Sequence, residues 1–265
     1  MNLEKIKIIF FDIDGTLIDI HSRKITERTL KTLIRLKERN FILCLSTGRS
    51  PVTVPHFEGW KPDVYLTFNG SYCYDGQQVI YKNPLSTADA KRIVKNAASI
   101  NRPVSAATPG KLAANGKDED LVKYFALAKL DVDVSDDFGE MIENDEIYQI
   151  MSGGRESEYP AFLQDVENAK IAAWWDRAVD IIPADSGKGV GIEHVLAHYH
   201  LKREEALAFG DGNNDIEMLQ AVGTGVAMEN GSDELKAVAD DICGHAAEDG
   251  VYHYCVKHGL IEEME

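Results

Sequence analysis

The stretch Lys7–Leu17, KIIFFDIDGTL, constrains this chain more than any other. Ile8-Ile9-Phe10-Phe11 is a continuous apolar run, the pattern of a strand covered on both faces. It runs directly into Asp12, Ile13, Asp14 and Gly15. Burying an unpaired carboxylate is costly. In an extended chain residues two apart share a face, ~6–7 Å from one another, so Asp12 and Asp14 are expected to crowd each other. Either both simply cap the following turn, or a cation sits between them.

The surrounding sequence supplies a frame for that strand. Thr26 has the chemistry of an N-cap, and Leu30, Leu33, Ile34 and Lys37 trace a helical stripe with Leu36 flanking it. Phe41–Leu45 is a second apolar run and Val64–Phe68 a third. Strand, helix and strand at this spacing predict a βαβ unit with a parallel sheet. YCYDGQQVIY predicts a hairpin turning at Asp75-Gly76.

The pattern then changes. Ser86 opens a helix with Ala90, Ile93, Val94, Ala97 and Ala98 on one face. Residues 102–139 resist assignment, apart from a helix near Leu121–Lys129. A strand at Ile147–Met151 and a helix at Tyr159–Asn168 follow. KIAAWWDRAVDIIP predicts two strands reversing at Asp176-Arg177, with one of Trp174 and Trp175 packed inward and the other outward. From Lys188 the α/β rhythm returns: a helix to about His200, a strand at Ala206–Phe209, a helix at Asn213–Ala221, a strand at Val222–Ala227, a helix at Ser232–Ala239, an edge strand at Asp240–Cys243 and a terminal helix. The expected fold is α/β: a Rossmann-like parallel-sheet core at 1–83 and 186–265, interrupted by an inserted α+β cap domain at 84–185.

The net charge of −16 over 265 residues argues against nonspecific binding to nucleic acid or anionic membranes. No apolar stretch approaches the roughly 20 residues that span a bilayer, and no signal-peptide core is visible, so a cytoplasmic location is expected. Cys44, Cys73, Cys243 and Cys255 form no CxxC pair and read as reduced, buried residues. The set Cys243, His245, His253 and Cys255 matches no standard zinc spacing. The sequence sets no oligomeric state; a monomer suffices.

Ligands of open parallel sheets bind beyond the carboxyl ends of the strands. Three predicted strands end there in polar clusters: Asp12 and Asp14; Ser46, Thr47, Gly48 and Arg49; Asp211, Asn214 and Asp215. Lys188 opens the helix after the insertion. The acids offer hard oxygen ligands suited to Mg²⁺. Thr47 offers a hydroxyl and Lys188 a point cation, and backbone N–H groups near Gly15 and Gly48 can approach an anion closely. These are the needs of a phosphate. Two carboxylates alone would repel a phosphate dianion, whereas a divalent cation and Lys188 reverse the local potential. Asp12 then becomes a nucleophile able to form an aspartyl phosphate, with Asp14 as its acid/base partner.

DIDGTL, STGR, SGKG and GDGNND, in this order, resemble the four motifs of the haloacid dehalogenase superfamily of phosphatases. The insertion resembles the class II, subtype B cap of the Cof-like hydrolases and related sugar phosphatases. The resemblance spans nearly the whole chain. It implies Asp12 as nucleophile and Asp14 as general acid/base. It further implies Mg²⁺ held by Asp12, Asp211 and the carbonyl of Asp14, with Asp215 supporting the metal or Lys188, so that the metal set is Asp12, Asp14, Asp211 and Asp215. Phosphate would be contacted by the Ile13 amide, Thr47, Gly48, Lys188 and Asn214, and Arg49 would face the substrate or order its loop. The implied substrate is a small phosphorylated metabolite, a sugar phosphate foremost. Phosphotransfer of the sugar-phosphate mutase kind is the alternative. A phospho-accepting signalling domain ranks lower: its acceptor follows a later strand, and it is about half this length.

Overall fold

The protein is described by a computed structural model over residues 5–127, 130–173 and 175–264. The described residues of Met1–Gly48, Pro55–Tyr81 and Gly187–Glu265 form one compact unit, and those of Arg49–Val54 and Lys82–Ser186 a second.

The chain begins with β1 (Ile8–Phe11), α1 (Glu27–Glu38), β2 (Ile42–Ser46), β3 (Val64–Thr67), β4 (Tyr72–Asp75) and β5 (Val79–Lys82). It continues with α2 (Thr87–Ser99), β6 (Val104–Ala107), β7 (Leu112–Ala114), α3 (Glu119–Leu127), α4 (Phe138–Asn144), β8 (Gln149–Gly153), α5 (Tyr159–Phe162), β9 (Ala169–Ile171) and β10 (Ala178–Pro183). Then come α6 (Lys188–His198), β11 (Ala206–Gly210), α7 (Ile216–Ala221), β12 (Thr224–Met228), α8 (Asp233–Val238), β13 (Asp241–Cys243) and α9 (Gly250–Lys257). No helix among the described residues is long and apolar enough to cross a membrane.

In the first unit the strand order is β13-β12-β11-β1-β2-β3-β4-β5. The pairs from β13 to β3 are parallel, and β4 returns antiparallel to β3. β1 is fully buried because both its faces are covered. Ile8 and Phe10 join Ile192, Val195, Met218 and Leu219 in one core. Phe11 stacks on Phe209, which meets Tyr254 of α9 edge-on. The register sets Phe11 beside both Phe209 and Leu45. The polar residues that follow β1, β2 and β11 therefore leave the sheet side by side at its carboxyl edge.

Thr26 caps α1 as expected, its hydroxyl accepting from the Thr29 amide at 3.0 Å. The buried stripe is Thr29, Thr32, Leu33 and Leu36, offset from the apolar residues alone. Thr32 packs because its hydroxyl donates to the Arg28 carbonyl, whereas Lys37 is exposed and donates to the Lys61 carbonyl. The predicted third strand stops one residue early, at Thr67, because Phe68 turns to positive φ.

The second unit is an α+β module. Its antiparallel sheet has the order β7-β6-β8-β10-β9. Ile93 and Ala97 of α2, Met141 and Ile142 of α4 and Phe162 of α5 pack with Val104, Ala106, Ile150, Val179 and Ile181 of the sheet. The stretch that resisted assignment contains the β6–β7 hairpin, closed by the Thr108 amide on the Lys111 carbonyl. The predicted helix at Tyr159–Asn168 shrinks to the single turn α5. The Asn96 carboxamide donates to the carbonyls of Phe162 and Gln164, at 3.0 and 2.7 Å, which occupies acceptors a longer helix would need. Asp165 then takes φ 54°. α3 ends at Leu127, and its expected extension over Ala128 and Lys129 lies outside the described residues, as does Trp174. Trp175 is half-buried, with the Arg177 guanidinium 5.7 Å above its ring.

Candidate active site

β1 ends at Phe11, so the alternation expected to place Asp12 and Asp14 on one face does not extend to them. Asp12 is 6% exposed, while Asp14 lies in a turn and is exposed. That turn is tight: the Leu17 and Ile18 amides reach the Ile13 carbonyl, and the Gly15 amide reaches that of Ile18. Gly15 has φ 98°, and a Cβ there would collide with the Asp211 carboxylate. Only glycine lets the first motif turn while the third acid comes this close.

Asp12, Asp211 and Asp215 each present a carboxylate oxygen within 4.8 Å of the others. Lys188, at the first position of α6 and 1% exposed, donates to Asp12 Oδ1 at 2.6 Å and to Asp215 Oδ1 at 2.5 Å. Asp215 Oδ2 accepts from the amides of Asp211 and Gly212, at 2.9 and 3.0 Å. Both Asp215 oxygens thus fix neighbouring parts of the cluster, which suits a supporting position. Thr16 donates to Asp211 Oδ1 at 3.4 Å.

One ammonium among three carboxylates leaves an excess of buried negative charge. Burial raises Asp12 to about 7, with Asp215 and Asp14 pushing the same way and Lys188 pulling down. Burial likewise raises Asp211 to about 9, helped by Asp12 and Asp215. For Lys188 burial opposes the charged form, but Asp12 and Asp215 outweigh it and the net shift is upward. The lysine stays an ammonium, and the acids are short of positive charge. All the donors are hard oxygens, which fits a hard divalent cation rather than a thiophilic metal. The Ser46 hydroxyl, fully buried just before Thr47, has no hydrogen-bond partner among the described residues.

Thr47 is buried and Gly48 half-buried at the end of β2. Asn214 follows β11, its carboxamide donating to Asn69 Oδ1 at 3.2 Å. Ile13 is buried in the first turn. Arg49 belongs to the second unit, where its guanidinium donates to the Thr53 carbonyl. The first unit thus brings together Asp12, Lys188, Asp211 and Asp215, and leaves the Asp14 carboxylate outside the tight cluster. Three residues of this region went unread in the sequence: Thr16, Asn69 and Asn230. The last ties the Gly15 carbonyl to the Ala246 amide through its side chain. Asn69-Gly70 and Asn230-Gly231 each carried a turn signal, but neither that signal nor Thr16 pointed to the site, because their partners are remote in the chain.

The profile of the haloacid dehalogenase-like hydrolases matches residues 9–255. YkrA of Bacillus subtilis (strain 168) is 33% identical over 258 residues, covering 97% of this chain and 99% of that one. The 5-amino-6-(5-phospho-D-ribitylamino)uracil phosphatase YitU of the same strain is 32% identical over 269 residues, covering 95% and 97%. The solved structure of BT4131, a subclass IIB sugar phosphatase, aligns with TM-score 0.88 at 28% identity over 96% of this chain and 100% of that one. The chain belongs to the haloacid dehalogenase-like hydrolases, and within them to the phosphatases that hydrolyse phosphoric monoesters.

Proposed function

We propose that the chain is a Mg²⁺-dependent phosphatase of small phosphorylated metabolites, working through an aspartyl phosphate on Asp12. The observation that carries this reading is the convergence of Lys188, from the start of α6, on Asp12, Asp211 and Asp215, which follow the adjacent strands β1 and β11. Asp12, Asp211 and the Asp14 carbonyl would hold the ion, with Asp215 supporting them. When bound, the ion would neutralise the acids and the phosphate dianion.

The chain's own groups supply the rest. Lys188 holds one oxygen of Asp12, which leaves the other to attack phosphorus. The bond from phosphorus to the ester oxygen breaks as Asp14 delivers a proton to that oxygen. Water then attacks the aspartyl phosphate, Asp14 takes its proton, and inorganic phosphate leaves with Asp12 restored. The exposure of Asp14 suits a group that exchanges protons with leaving group and water. Thr47, Gly48, the Ile13 amide and Asn214 are assigned to the phosphate oxygens, and Arg49 to the substrate. The second unit is read as the cap that selects the leaving group, and sugar phosphates are the substrate class favoured by the likeness to BT4131.

Hydrolysis of p-nitrophenyl phosphate is expected to require Mg²⁺ and to stop with EDTA. Asp12→Asn is expected to lower turnover by roughly 10⁴-fold or more and to abolish trapping of beryllium fluoride on the protein. Turnover insensitive to EDTA removes the metal role. Undiminished trapping in the variant moves the nucleophile elsewhere.

A further inference from the structure

The turn that follows β3, Phe68-Asn69-Gly70, has three successive residues at positive φ: 52°, 53° and 88°. Asparagine and glycine tolerate this region, but phenylalanine adopts it only when its surroundings compel it. Phe68 is fully buried, so packing holds the turn in place. The strained backbone delivers Asn69 to one location, where it touches two of the motif loops. Its amide donates to the Thr47 carbonyl at 3.0 Å. Its carboxamide lies so close to Gly48 that a Cβ there would sit 3.1 Å from Nδ2 and 3.2 Å from Oδ1. Its Oδ1 accepts from Asn214 Nδ2 at 3.2 Å. Gly70 extends the same turn to the start of α6, since a Cβ on it would collide with the Gly187 carbonyl, next to Lys188.

A carboxamide presents an acceptor at one end and two donor hydrogens at the other, and its partners decide which end faces where. We propose that Asn69 is a positioning residue: by accepting one N–H of Asn214, it turns that side chain so that its second N–H faces the phosphate. This rests on the phosphatase reading, in which Asn214 contacts phosphate. Without the acceptor the Asn214 carboxamide is free to reverse and present its oxygen, which repels the anion.

The test is a set of variants assayed by kcat/KM on p-nitrophenyl phosphate and by inhibition with inorganic phosphate, with thermal midpoints as a check on folding. Asn69→Gly keeps the backbone's freedom at positive φ and removes the acceptor. Asn69→Asp keeps both the acceptor and the tolerance of that backbone region, and guards against a folding defect in the glycine variant. Asn214→Ala is expected to weaken phosphate inhibition about tenfold in the wild-type and Asn69→Asp backgrounds, and to add less than about twofold in Asn69→Gly, because the contact is already lost there. Equal losses from Asn214→Ala in all three backgrounds, or no loss in the wild type, overturn the inference while leaving the phosphatase in place. A wild-type protein unable to hydrolyse p-nitrophenyl phosphate removes the phosphatase reading itself.

Discussion

Each unit gathers three carboxylates around basic groups, with opposite results. In the second unit Arg102 grips Glu158 through Nε and Nη2, at 2.8 and 2.9 Å, and donates from Nη1 to Asp118 and Asp120 at 3.1 and 3.0 Å. Arg177 reaches Asp120 as well. The hydrogen bond from Arg102 holds Glu158 below its ordinary range. For Asp120, burial pushes upward but Arg102 and Arg177 prevail. In the first unit, among the described residues, the one ammonium of Lys188 faces Asp12 and Asp215, with Asp211 beside them, and burial drives Asp12 and Asp211 up. The Arg102 cluster is only partly buried, and each of its carboxylates accepts from a planar fork of donors. The Lys188 cluster is more deeply buried and, among the described residues, sets one ammonium against three carboxylates. The first arrangement suits a brace; the second suits the cation-binding role proposed for it.

The largest expected effect comes from removing the ammonium of the first unit's cluster. Lys188→Met leaves the buried Asp12 and Asp215 and the half-buried Asp211 without their organic cation. It is expected to abolish turnover and to cost about 3 kcal/mol of stability in EDTA, in line with breaking a buried pair from one side. Urea unfolding at neutral pH measures the second quantity. Added Mg²⁺ is expected to recover part of the stability and none of the turnover. Unchanged unfolding would mean the lysine's charge matters less to the fold than its burial suggests.

The pH response separates the two clusters next. Asp12 and Asp211 sit above the ordinary carboxylate range in the native state, at about 7 and about 9. Above pH 4 the unfolded chain has released these protons while the native state still binds them, so stability falls as pH rises through the folded values. The protein in EDTA is therefore expected to melt about 5 °C lower at pH 9 than at pH 6, and Mg²⁺ is expected to stabilise it more at pH 9. The acids around Arg102 have the opposite sign: Glu158 and Asp120 are lowered, so their contribution is present above the unfolded carboxylate values and lost as pH falls through the lower folded ones. Thermal midpoints against pH, with and without Mg²⁺, read both slopes. A flat profile from pH 6 to 9 in EDTA breaks the contrast.

The core site was legible because its chemistry contradicts its local surroundings. Aspartates at the end of a run as apolar as Ile8–Phe11, and a lysine opening a helix against the dipole, are conflicts that a shared site would resolve. The parallel sheet was legible because βαβ units carry both the strand and the helix period. The exact geometry was less so: the two-residue alternation expected of Asp12 and Asp14 fails because β1 ends at Phe11. In the second unit β6 and β7 read VSAA and LAA, in which only Val104 favours a strand, and their place in the sheet shows in the core they share with α2 and α4. The short α5 depends on Asn96, more than sixty positions earlier in the chain, and no local window contains both. Asn69 was overlooked for a related reason: its partners, Gly48 and Asn214, meet it only in the folded sheet.

Smaller effects test whether the second cluster is a brace. Arg102→Leu keeps the side chain's packing and removes its hydrogen bonds. Discounted for solvent screening, it is expected to cost about 1 kcal/mol, shrinking as salt is added, with turnover of p-nitrophenyl phosphate within about twofold of wild type. The smallest effect is expected nearby on α3, where Lys123 pairs with Glu119 one turn away, both largely in solvent. Lys123→Ala removes a pair of the kind that seldom contributes measurably, so urea unfolding should not resolve it. The two substitutions differ in how many acids the cation holds and how far water is kept from them. If Lys123→Ala costs as much as Arg102→Leu, charge count on the helix sets stability in this unit, and the fork at Arg102 adds nothing beyond it. If Arg102→Leu alone costs stability, the same number of carboxylates has been put to structural use in one unit and left unmatched in the other.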